Sequence, residues 1–122
     1  MQTSARHLSA LTYQKLFNQL ATLLADLHHP RQVRQFLDDF LTRTEKVVLS
    51  KRLAILWNLY QSKSYEEIKN QLKVSSATIS SVNLIKDRKN CRHSIGLIAK
   101  DKFIEKIVEI LSQLSGKTKT EI

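Results

Sequence analysis

The stretch "SYEEIKNQLKVSSATISSVNLIK", residues 64–86, decides how the chain folds. Ser64 with Glu67 three positions on is a capping box, and it opens a helix of about nine residues with Ile68 and Leu72 facing inward. Lys73 ends that helix. Ser75 or Ser76 then caps a second short helix on which Ile79, Val82 and either Ile85 or Lys86 share a face. Ile68, Leu72, Val74, Ile79 and Val82 follow one another at spacings of 4, 2, 5 and 3, which puts one apolar contact at each point where two helices meet around a sharp turn. This is the helix-turn-helix pattern. The turn prefers Gly where Lys73 stands, because a side chain in the left-handed conformation costs about 1 kcal/mol.

With the second helix in a major groove, Ser76, Ala77, Thr78, Ser80, Ser81 and Asn83 point outward and are short enough to let the backbone approach base edges. Hydroxyls bond several base partners, and Asn pairs with adenine. Ser75 and Ser76, at the helix N-terminus, suit a phosphate, and Lys69, Lys73, Lys86, Arg88 and Lys89 are placed to add phosphate contacts. The plainer reading is that these hydroxyls are only caps and turn formers. The apolar spacing and the basic flanks favour double-stranded DNA as the partner.

The rest of the composition supports that reading. Two glycines and one proline among 122 residues, with abundant Leu, Ile, Lys, Gln and Glu, point to an all-α protein of one domain, residues 1–115, followed by a polar tail at 116–122. The net charge of +9 is uneven: residues 1–42 hold four Lys/Arg against three Asp/Glu, and residues 43–122 hold sixteen against eight. Such a surface attracts polyanions, although it also serves solubility. A lone cysteine, Cys91, excludes an internal disulfide. No apolar run approaches the ~20 residues needed to cross a bilayer, and the N-terminus does not read as a signal peptide. We therefore expect a cytoplasmic location and no membrane.

Six helices are expected. Leu8, Leu11, Leu16, Leu20, Leu23, Leu24 and Leu27 mark a first amphipathic helix from about residue 6 to 28. Pro30 opens a short second helix with Val33, Phe36, Leu37, Phe40 and Leu41 on one face. "TRTE", residues 42–45, is another capping box, and the long helix after it carries Val48, Leu49, Leu53, Leu56, Trp57 and Tyr60. "KDRKNCRHSIG" in the 86–98 region reads as a basic, poorly periodic connection. A last helix from about Ala99 to Leu114 bears a broad stripe of Phe103, Ile104, Ile107, Val108, Ile110, Leu111 and Leu114.

Residues 40–83 resemble the tryptophan-operon repressor family, especially its YerC/YecD-like branch, through the Leu-Thr cap, the Glu that follows, Arg52, "SYEEI" and "SSATIS". The resemblance implies an intertwined homodimer with a core built from the first three helices and the last. Its two reading heads would stand about 34–36 Å apart on a palindromic site. It also implies a ligand pocket at Leu41, Thr42, Arg52, Ser81 and Val82. The first three fit. Ser81, however, stands where the family has an Arg that stacks on the indole, and Val82 where the repressor has a Gly that gives the ring room. Both changes weaken indole binding, so no tryptophan response is expected. Glu66 stands near a position that is basic in the repressor, and the link from Ile85 to Ala99 is longer than the resemblance suggests.

Other candidates have plainer explanations. Adjacent His28 and His29 point about 100° apart on a helix and do not share a metal readily. Cys91 and His93 lack a second ligand pair. Arg52 either meets a ligand or pairs with a carboxylate, and Trp57, Tyr60 and Phe103 read as core aromatics. No nucleophile-base pair, glycine-rich phosphate loop or carboxylate cluster suggests an enzyme, and no cofactor is implied. Two other functions stay open: a helical protein-interaction module that keeps the helix-turn-helix as scaffold, and a regulator sensing a small acidic ligand near Arg52. The sequence leaves any effector unspecified.

Overall fold

A computed structural model describes residues 7–116, and all their regular structure is helical: α1 (Ala10–Leu27), α2 (Pro30–Phe40), α3 (Arg43–Tyr60), α4 (Tyr65–Leu72), α5 (Ser76–Asn83) and α6 (Lys89–Leu114). The chain forms two compact units, one running through Ser50 and the other beginning at Lys51.

In the first unit the helix boundaries follow from local chemistry. Ser9 caps α1, its hydroxyl accepting from the Thr12 amide at 3.1 Å, so the helix starts later than the apolar spacing alone indicates. His28 leaves the helix at φ 58°, and His29 caps α2 by accepting the Arg31 amide on Nδ1 at 3.0 Å, with Pro30 as the first helical residue. The Thr42 box is complete: the Thr42 amide donates to Glu45 Oε1 at 2.9 Å, and the Glu45 amide donates to Thr42 Oγ1 at 3.1 Å. α1 packs on α2. No described residue of this unit is buried, however, and Leu11, Leu16, Phe17, Phe40, Val48 and Leu49 are each more than half exposed.

The second unit has a real core. Ile55, Leu56 and Leu59 from α3, Ile68 from α4, Ile79 and Val82 from α5, and Ile95 from α6 are buried together, with Trp57, Tyr60, Leu72, Val74, Cys91 and Ile98 packed against them. The five spaced apolar residues of the opening stretch all belong to this cluster.

Two expectations need correction. The 86–98 region is not a long connection: only residues 84–88 separate α5 from α6, and the helix begins ten residues before Ala99. Cys91, Ile95 and Ile98 recur at spacings of 4 and 3 and face the core, so burial holds as a helix a segment whose charges suggested a loop. Phe103 is not packed in the core of its own chain but is 66% exposed, and the rest of the stripe that follows it is exposed to varying degrees. α6 ends at Leu114; residues 117–122 of the expected tail lie outside the described residues.

Ile79→Ala is expected to cost about 2–5 kcal/mol in denaturant unfolding, because the site is fully enclosed. Leu84→Ala, at a side chain 84% exposed, is expected to stay within about 0.5 kcal/mol of the parent. Equal losses at the two sites would contradict this core assignment.

Candidate nucleic-acid interface

α4 and α5 pack against each other across a turn of three residues, Lys73–Ser75. Ser64 starts α4 with a full capping box. Its hydroxyl accepts from the Glu67 amide at 3.1 Å, and Glu67 Oε1 accepts from the Ser64 amide at 3.1 Å. The hydrogen bond from the Ser64 backbone, with that from its side chain next, holds the Glu67 carboxyl below its ordinary range. Lys73 closes α4 in the left-handed conformation, φ 57° and ψ 55°, and its amide donates to the Lys69 carbonyl at 2.9 Å. Ser75, rather than Ser76, caps α5 by accepting the Thr78 amide at 3.2 Å.

On α5 the buried Ile79 and Val82 fix which side faces out. At about 100° per residue, Ala77, Ser80 and Ser81 lie opposite them and Ser76 and Thr78 flank that face, all five exposed. Asn83 sits at its edge, half-buried. The hydroxyls are not equivalent. Ser75 and Thr78 bond each other at 3.0 Å, and Ser81 donates to the Thr78 carbonyl at 2.8 Å. Ser76 and Ser80 have no such bond among the described residues. Lys69 and Lys86 are half-buried and Arg88 is exposed as the N-cap of α6.

Three side chains of α3 hold this motif, and sequence reading did not single them out for that role. Lys51 Nζ donates to the Lys73 carbonyl at 3.2 Å, at the turn itself. Asn58, 5% exposed, reaches Gln71 Oε1 on α4 at 3.4 Å, and the Tyr60 hydroxyl donates to the Lys86 carbonyl just past α5. The available clue was Asn58, a polar residue set among apolar ones on α3.

The positions of the expected ligand pocket are distributed between the units. Leu41 is the half-buried C-cap of α2, and Thr42 caps α3 beside it. Leu41 also lines an open groove with Val33, Leu37 and Leu49, edged by Asp38, which pairs with Arg34 at 3.5 Å and Lys46 at 3.3 Å. Arg52 is exposed in the second unit and forms no ion pair among the described residues. Val82 is fully buried and Ser81 exposed. Among the described residues no group of three or more His, Cys, Asp or Glu is placed to hold a metal, and no helix is long and apolar enough to cross a membrane.

A capped helix pair around a tight turn, presenting a small hydroxyl-rich face on a basic chain, is the architecture of helix-turn-helix DNA-binding regulators. The family model described as Trp repressor protein matches residues 15–94, and the chain belongs to that family. No curated protein and no solved structure matches the chain.

Because the Glu67 carboxyl titrates lower in the folded state than in the unfolded chain, its contribution is present above the unfolded value and lost as pH falls through the folded one. Glu67→Gln keeps the reciprocal bond without the titration, so its thermal midpoint should fall less than the parent's on acidification. Parallel curves would count against the box. Lys73→Gly should leave stability unchanged or raise it by up to about 1 kcal/mol, since it relieves the left-handed side chain. A loss above that size would mean that the Lys73 side chain holds the turn.

Proposed function

We propose that this chain is a homodimeric transcriptional repressor that binds a palindromic site in double-stranded DNA, reads bases through α5 and acts without tryptophan. The observation that carries the reading is the outward face of α5. It is small, exposed and hydroxyl-rich, on a helix whose orientation is fixed by Ile79 and Val82. Ser76, Ala77, Ser80 and Ser81 meet base edges, with Thr78 and Asn83 at the border; Ser75, Lys69, Lys86 and Arg88 contact phosphates. Hydroxyls make few bidentate base contacts, so phosphates supply much of the affinity, which falls steeply with salt.

Membership of the family supports the dimer, as do the apolar faces left open on α1, on the first half of α3 and on the last half of α6. A monomer that exposes so much apolar surface is short of a partner, and a second copy covers like with like. The exposed 103–114 stripe is also what favours the protein-interaction reading. Burial of Val82 and the absence of a planar cation at Ser81 support independence from tryptophan. The proposed location is the cytoplasm, where such a regulator meets its DNA.

Selection of duplexes from a random pool by purified protein tests the proposal. A palindrome with half-sites one helical turn apart is expected, bound equally with and without tryptophan. Ser76→Ala with Ser80→Ala should weaken the selected duplex roughly tenfold and leave a scrambled duplex unchanged. No enriched sequence, together with co-purification of a different protein, would favour the interaction module. A gain in affinity on adding tryptophan would overturn the claim of independence.

A further inference from the structure

As a helix, the first three turns of α6 present a cationic surface on one side. Between Lys89 and Lys100 the helix carries Lys89, Arg92 and Lys100, with His93 among them, and no carboxylate. At about 100° per residue Lys89, His93, Gly96 and Lys100 fall within roughly 60° of one another, Arg92 flanks them, and Cys91, Ile95 and Ile98 lie on the opposite side. The core contacts therefore turn the cations outward, and all of them are exposed. None forms an ion pair among the described residues.

Two local features are unfavourable for a helix on its own account. Cations stand where the helix dipole favours anions, with no acidic residue in the first turn. Gly96 occupies a helix interior although a Cβ there would meet nothing within 4 Å, so close packing within the chain does not require it. A negatively charged backbone lying along this face would relieve the first and use the second, since Gly96 leaves a smooth gap between His93 and Lys100. The face also adjoins Lys86 and Arg88 in sequence, the phosphate contacts proposed for the end of the reading motif, with Asp87 the one carboxylate between them.

We infer that the first three turns of α6 form a second phosphate-binding face, on which Arg92 and Lys100 extend the DNA contact beyond the helix-turn-helix without reading bases. This rests on the DNA-binding function proposed above. The face adds affinity that is independent of sequence, compensating for the scarcity of strong base contacts on α5.

The test is a salt titration of binding to the selected duplex and to a scrambled one, comparing the full chain with Arg92→Gln/Lys100→Gln. Both substitutions are at exposed positions, and unchanged helicity by circular dichroism verifies the fold. The variant should bind both duplexes more weakly by the same factor, about tenfold or more at low salt. Its plot of log affinity against log salt should be shallower by nearly 2, about 0.9 for each lost phosphate contact. A parent that binds with an unchanged slope and affinity in the variant would overturn this inference alone. A loss confined to the selected duplex would also overturn it, because the face would then be reading sequence. A parent that binds neither duplex would overturn the DNA-binding reading itself.

Discussion

The burial of Ile68, Ile79 and Val82 against Ile55 and Ile95 is the constraint on which the rest depends. These side chains come from four helices, and each is no more than 4% exposed. Two eight-residue helices are too short to be stable in water alone, so packing rather than propensity makes α4 and α5 helical. The same packing leaves α5 one rotational setting. Once Ile79 and Val82 are inside, Ala77, Ser80 and Ser81 are outside, and the chemistry of the outer face follows from the geometry of the inner one.

Polar contacts from α3 refine what the core sets. Lys51 places an ammonium on the carbonyl of the left-handed residue at the turn, Asn58 reaches α4, and Tyr60 ties down the chain as it leaves α5. Each is a modest interaction, on the order of 1 kcal/mol. Together they address the turn, α4 and the exit, where the motif would otherwise loosen. The contrast with the first unit is physical. Its helix caps are formed and its helices pair, yet its apolar side chains remain open.

Much of this was legible in the sequence because it is written in short-range chemistry. Capping boxes at Thr42 and Ser64 need residues only three apart, and the spacing from Ile68 to Val82 encodes both helices and the turn between them. The start of α6 was hidden because three core contacts, Cys91, Ile95 and Ile98, are diluted by charges. The Lys51, Asn58 and Tyr60 contacts span 13 to 26 residues, so no local pattern announces them. The exposure of Phe103 escaped for a different reason: helical spacing shows that a face is apolar but not whether its own chain covers it. On α5, composition could show that hydroxyls are abundant. Only the geometry separates Ser76 and Ser80 from Ser75, Thr78 and Ser81, whose hydroxyls are already engaged.

Whether α5 is the element that meets DNA is read from the backbone amide spectrum of isotope-labelled protein titrated with duplex. The largest shifts are expected at residues 75–83, with smaller ones around Lys69 and from Lys86 onward. Shifts concentrated in the first unit or along the 103–114 stripe, with α5 unmoved, would contradict it.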